Sequence, residues 1–124
     1  MTGGRVLVVE DNEKNMKLFR DVLQAKGYGT LEASSGEDAL ELASAHIPDL
    51  VLMDVQLPGI DGIETLERLR ENERTASIPV LALTAQAMHG DRERFLAAGF
   101  DGYLSKPVDI AELVGAVAEH CRPA

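Results

Sequence analysis

Cysteine is almost absent from these 124 residues: Cys121 stands alone, so there is no disulfide framework and no CxxC metal site. No apolar run approaches the length of a transmembrane helix. Residues 1–5 lack the basic region and apolar core of a signal peptide. Basic charge is scarce, with Lys and Arg totalling 12 against 21 for Asp and Glu, a formal net charge of −9. Direct nucleic-acid binding needs a basic footprint that this chain does not have, and adsorption to anionic membranes is disfavoured for the same reason. There is no internal repeat, no low-complexity tract and no linker, and no glycine-rich turn follows the first apolar run as a dinucleotide site requires. Hydrophobic residues make up 45% of the chain, which fits one cytoplasmic domain of ordinary size, residues 1–124, with a core of its own and no output domain.

The apolar runs that are present are short and bounded by turn residues. Leu50-Val51-Leu52-Met53 runs into Asp54 and is followed by Pro58-Gly59, the pattern of a strand buried on both faces. A first strand over 5–9 ends in Glu10-Asp11-Asn12, and a helix over 13–26 follows, with Phe19, Val22 and Leu23 on its inward stripe and Gly27 at its end. Residues 30–33 form a half-polar strand suited to a sheet edge. Ser35, with Asp38 three positions on, opens a second helix that stops before Pro48. A third helix starts around 61–64 and carries Ile63, Leu66 and Leu69 on one side, and a polar loop over 71–77 leads to a buried strand over 78–84. A fourth helix lies within 89–98, closed by Gly99, and a short strand over 102–105 ends at Lys106-Pro107. Asp109 and Glu112 form a capping box for a last helix with Ile110, Leu113, Val114, Val117 and Ala118 on its apolar face. Strict alternation of five strands and five helices specifies an α/β fold with a doubly wound, five-stranded parallel sheet and helices on both faces.

In such a sheet every strand ends at the same edge, where open α/β folds bind ligands. The first strand delivers Glu10 and Asp11 there, the third Asp54, the fourth Thr84 and the fifth Lys106. Each has an ordinary reading alone: Asp11 or Asn12 as a helix cap, Thr84 as a β-branched strand residue, Lys106 as a solvated surface lysine. Together they make a site. Three clustered carboxylates repel and call for a cation, and an all-oxygen acidic site suits Mg²⁺. A carboxylate beside a metal, a lysine and a hydroxyl can act as a nucleophile towards phosphorus and form an aspartyl phosphate.

Four segments, Val8-Val9-Glu10-Asp11-Asn12, Leu52-Met53-Asp54-Val55-Gln56-Leu57-Pro58-Gly59, Leu83-Thr84-Ala85 and Tyr103-Leu104-Ser105-Lys106-Pro107, resemble the receiver domain of two-component response regulators over essentially the whole chain. The resemblance implies a flavodoxin-like (CheY-like) strand order 2-1-3-4-5 and makes Asp54 the phosphoryl acceptor. It assigns Mg²⁺ to Asp11, Asp54, the backbone carbonyl of Gln56 and, through a water, Glu10. Thr84 and Tyr103 match the switch pair and Lys106 the phosphate-contacting lysine. The Lys106-Pro107 peptide is expected to be cis. Expected partners are a sensor histidine kinase or histidine phosphotransfer protein, docking near Asn15 and Phe19 on the first helix, and a downstream protein reading the face of the fourth helix, fifth strand and fifth helix. No enzymatic activity is implied beyond the domain's own phosphoryl transfer and autodephosphorylation.

Asn15-Met16-Lys17-Leu18-Phe19 and the run from Ala85 to Glu93 are similar to the branch that includes stand-alone DivK-type regulators of cell cycle and polarity and the receivers of hybrid histidine kinases. A methionine start without an output domain favours the stand-alone form; a kinase receiver, a phosphorelay shuttle and a phosphorylation-independent scaffold are the alternatives. A haloacid-dehalogenase-type phosphatase would need a second aspartate where Gln56 stands, and the first loop of a flavin carrier would have to cradle a phosphate that Glu10 and Asp11 repel. His46, His89 and His120 have no ligand-like spacing and read as surface or core-edge residues, and Cys121 reads as packing.

Overall fold

Alternate residues along the strands part into two apolar layers, and this builds the domain. The structure, a computed structural model, describes residues 4–85 and 91–121, the side chains of Asp91 and Arg92 excepted. The elements run β1 (Arg5–Val9), α1 (Glu13–Ala25), β2 (Gly29–Ala33), α2 (Gly36–His46), β3 (Leu50–Asp54), α3 (Gly62–Glu71), β4 (Val80–Thr84), α4 (Asp91–Ala98), β5 (Gly102–Ser105) and α5 (Ile110–His120). All strand pairs are parallel, in the order β2-β1-β3-β4-β5. The half-polar β2 lies at an edge, as its composition suggests.

Val6, Val8, Leu50, Leu52, Leu81 and Leu83 pack with Met16, Phe19 and Leu23 of α1 and Leu113 and Val117 of α5. Leu7, Val9, Val51, Met53, Val80 and Ala82 pack on the other face with Ala39 and Ala43 of α2, Leu66 and Leu69 of α3, and Phe95 of α4. Each fully buried leucine or phenylalanine here contributes roughly 1.5–3 kcal/mol. None of the described helices is long and apolar enough to cross a membrane.

The helix starts follow from short polar side chains. Asn12, Ser35, Asp61 and Asp109 have extended backbones and accept hydrogen bonds from Asn15, Asp38, Glu64, and Ala111 with Glu112, respectively. Asn12 rather than Asp11 is therefore the first cap, which leaves the Asp11 carboxylate for the sheet edge. Gly27, at φ +92°, ends α1 in a conformation closed to most side chains.

Three sequence expectations need correction. β4 begins at Val80 and not at 78, because the Ile78 carbonyl is taken by Arg70, Pro79 has no N–H, and the Val80 N–H goes to Asp101 Oδ2. On α5 only Leu113 and Val117 of the expected apolar stripe are buried; Ile110 is 43% exposed, Ala118 is exposed and Val114 half-buried. Phe19 is 1% exposed and belongs wholly to the core, so it offers nothing to a docking partner; its neighbour Leu18 is 41% exposed. His89 and residues 86–90 of the DivK-like run lie outside the described residues.

Candidate functional site

Glu10, Asp54 and Thr84 are polar residues in apolar surroundings, 2%, 4% and 2% exposed. A buried charge needs a partner, and both acids have the same one. Lys106 Nζ lies 2.7 Å from Glu10 Oε1 and 3.0 Å from Asp54 Oδ2. The Lys106 backbone is fixed by its own N–H, 2.8 Å from the Thr84 carbonyl, and the following peptide to Pro107 is cis, as expected.

The remaining oxygens are held by backbone amides and one side chain. Gln56 N–H donates to Asp54 Oδ1 at 3.0 Å, and Asn12 N–H to Glu10 Oε2 at 3.2 Å. Asn15 Nδ2 donates to Glu10 Oε1 at 3.4 Å, so a residue read from sequence as a docking position also orients the acidic pocket. Both carboxylates are thereby fixed in plane and direction. Burial pushes the Glu10 carboxyl above its ordinary range, Lys106 draws it back, and the adjacent Asp54 adds to the rise. Burial by itself would lower the Lys106 ammonium, but Glu10 and Asp54 together outweigh it and hold it above the usual lysine range.

Asp11 differs in being exposed. Its carboxylate nevertheless converges with the other two: Glu10, Asp11 and Asp54 each offer an oxygen, all within 4.8 Å of one another. Three carboxylates against one ammonium leave a local excess of negative charge. Hard oxygen donors, one of them open to water, fit a divalent cation of the Mg²⁺ kind, which prefers oxygen and keeps part of its hydration.

The sequence placed Thr84 and Tyr103 on neighbouring strands. In register, Thr84 pairs with Ser105 and Ala82 with Tyr103, so Tyr103 lies two residues back from the site edge. Its half-buried ring packs against Phe95 of α4, centroids 6.3 Å apart. Two contributors had no sequence signal. Gly62 opens α3 directly under the site, where an added Cβ would stand 2.5 Å from the Asp54 carbonyl oxygen. Arg70 binds backbone carbonyls at the opposite edge of the sheet, and carbonyls carry no residue identity to read. The β1, β3, β4 and β5 ends thus bring every expected side chain to one edge, Tyr103 excepted by its two-residue offset.

Comparison with known proteins agrees with this arrangement. Residues 6–118 match the family model described as response regulator receiver domain. The polar-differentiation response regulator DivK of Brucella ovis is 47% identical over 115 residues, 93% of this chain and 94% of that one. Among solved structures, the receiver domain of a sensor histidine kinase of Pseudomonas aeruginosa PAO1, with a magnesium ion coordinated in its active site cleft, is 36% identical with a TM-score of 0.88, covering 97% of this chain and 98% of that one. A chemotaxis response regulator of Vibrio cholerae is 27% identical with a TM-score of 0.87, covering 93% and 96%.

Proposed function

The chain belongs to the response regulator receiver family, and from that premise we propose that it accepts a phosphoryl group on Asp54 from a histidine kinase or histidine phosphotransfer protein and signals as a cytoplasmic regulator. The observation that carries this reading is the Lys106 ammonium set between Glu10 and Asp54. An Asp54 oxygen attacks phosphorus as the P–N bond of a phosphohistidine breaks; the electron pair leaves on the imidazole, and the product is an acyl phosphate. Lys106, already against Asp54 Oδ2, is placed to follow the new negative charge onto the phosphoryl oxygens. The Gln56 N–H on Oδ1 holds the carboxylate in its attacking orientation. Asp11, Asp54, the Gln56 carbonyl and, through a water, Glu10 are the groups that would hold Mg²⁺, which when bound neutralises charge on the transferred group.

Thr84 donates its hydroxyl to a phosphoryl oxygen in this reading, and Tyr103 turns into the space so vacated. The change is presented to a protein partner on the face of α4, β5 and α5, where Leu96 and Ile110 are each 43% exposed. The kinase side docks on α1 around Asn15 and Leu18. The likeness to DivK supports a place in polarity or cell-cycle control. A second reading, a receiver working within a hybrid kinase relay, is favoured by the Pseudomonas likeness. Profiling phosphotransfer from the histidine kinases of the source organism separates the two.

Incubation with acetyl phosphate and Mg²⁺ should give a labile single-phosphoryl adduct seen by intact mass. It should be absent in Asp54→Asn and with EDTA. An undiminished adduct in the variant would move the acceptor elsewhere, and full labelling in EDTA would end the metal assignment.

A further inference from the structure

Helix α4 is held to the domain at its middle, by Phe95, and at its C-terminal end, where Ala98 packs against the core and Arg70 binds the backbone that follows. Of residues 93–98, Phe95 alone is buried, at 1% exposure, while Glu93, Arg94, Leu96 and Ala97 are exposed. The Phe95 ring stands edge-on to Phe100, with centroids 6.0 Å apart at 86°, and lies 6.3 Å from the Tyr103 ring at 50°. Through this side chain the helix meets the Tyr103 ring.

The second place is the C-terminal end. Arg70, in the last turn of α3, donates from Nη1 to the carbonyls of Ala76 and Ile78, at 3.0 and 2.6 Å. From Nη2 it reaches the Gly99 carbonyl and Asp101 Oδ2, each at 3.2 Å. Asp101 in turn is joined to β4 twice, by its N–H to the Val80 carbonyl at 2.8 Å and by Oδ2 to the Val80 N–H at 2.7 Å. A planar guanidinium with fixed donors ties the residues that close α4 to the start of the central sheet. A helix with few buried contacts belongs to the low-stability part of a fold, where motion concentrates; among the described residues, the hydrogen bonds that tie this one to the rest of the domain lie at its C-terminal end.

We propose that Arg70 and Phe95 make α4 a pinned lever: Arg70 fixes the helix at Gly99 and Asp101, and Phe95 passes displacement of the Tyr103 ring to it, so that the 91–94 end swings and the 98–101 end does not. The proposal rests on the switch reading of Tyr103. Arg70 is then a positioning residue acting on the output face from the edge of the sheet opposite the phosphoryl site. A bistable element must be biased by specific contacts, and here the contacts are one ring pair and one guanidinium fork.

Amide chemical shifts with Mg²⁺, before and after beryllofluoride, test this. The Gln56 and Lys106 amides report occupancy of the Asp54 site. In the native protein, shifts at Glu93 and Arg94 should be severalfold larger than at Gly99 and Asp101. Phe95→Leu, and Phe95→Met as a variant closer in length, should keep the Gln56 response and lose that at Glu93 and Arg94. Arg70→Met should spread the response to Gly99 and Asp101, and Arg70→Lys, which keeps the charge but not the fork, should do the same. An unchanged α4 response in both Phe95 variants, or equal shifts at the two helix ends in the native protein, would overturn the lever. A native protein silent at Gln56 would overturn the phosphoryl-acceptor reading itself, and the lever with it.

Discussion

The same substitution, glycine to alanine, should have opposite effects at two helical positions. At Gly62 an added Cβ would stand 2.5 Å from the Asp54 carbonyl oxygen and 2.7 Å from Val55 Cα, well inside ordinary contact at 3.4–4 Å. Both obstacles are backbone in the strand-to-helix connection, so relief requires roughly 1 Å of main-chain movement, and overpacking of this kind costs about 1–3 kcal/mol. At Gly115, in the middle of α5, nothing lies within 4 Å of an added Cβ. The only effect left there is the helix preference of alanine over glycine, worth about 1 kcal/mol. For a domain of this size 1 kcal/mol moves Tm by about 4 °C. Gly62→Ala should therefore lower Tm by about 4–12 °C, and Gly115→Ala should raise it by about 4 °C. Calorimetry measures both, and beryllofluoride titration followed at the Gln56 amide adds a functional readout. Affinity should fall in Gly62→Ala, since the movement passes through Asp54, and stay unchanged in Gly115→Ala. A neutral Gly62→Ala, or two effects of the same sign, would refute the steric argument.

Removing the ammonium in Lys106→Met leaves Glu10 and Asp54 facing each other in a buried site; without divalent ions this should cost about 3–5 kcal/mol. Thermal melts should show Mg²⁺ restoring more stability to this variant than to the native protein, and equal Mg²⁺ shifts would contradict the charge argument. Phe19→Ala should cost about 3–5 kcal/mol, as a fully buried phenylalanine does, whereas Leu18→Ala should barely move Tm yet slow phosphotransfer from a cognate kinase; a large Tm loss in the second would show Leu18 to be core. Burial raises the Cys121 thiol from 9.0 to about 11, with Asp49 adding to it. Native protein at pH 8 should accordingly react with thiol reagents far more slowly than protein in urea. The unfolded thiol ionises first, so this contribution is intact below pH 9 and is lost between pH 9 and 11, by up to roughly 2 kcal/mol. Denaturant titrations across that window should show a shallower fall in Cys121→Ala, and parallel curves would deny the thiol a role.

What the sequence determined by itself was everything carried by local physics. Apolar runs bounded by turn residues placed β1 and β3 to the residue, because a strand buried on both faces needs every side chain apolar. Ser35 and Asp109 announced their helices because a side-chain oxygen beside free amides acts within a few residues. Strict alternation then forced a parallel sheet, and a parallel sheet forced Glu10, Asp11, Asp54, Thr84 and Lys106 to one edge.

Tertiary structure decided whatever depends on groups far apart in the chain. Lys106 meets an acid 52 positions away, and no local pattern distinguishes that lysine from a solvated one. The start of β4 was set by Arg70 and Asp101, whose bonds to carbonyls and an amide leave no trace in residue type. The period of α5 marked an apolar face, but the face is wider than the sheet it covers. Leu113 and Val117 went under, and Ile110 and Ala118 stayed in solvent. Phe19 and Leu18 are both apolar and adjacent, and the helix's rotation against β1 and β3 alone made one core and the other surface. Hydrophobic periodicity specifies a direction of burial, while its extent is fixed only when the packing partner is in place.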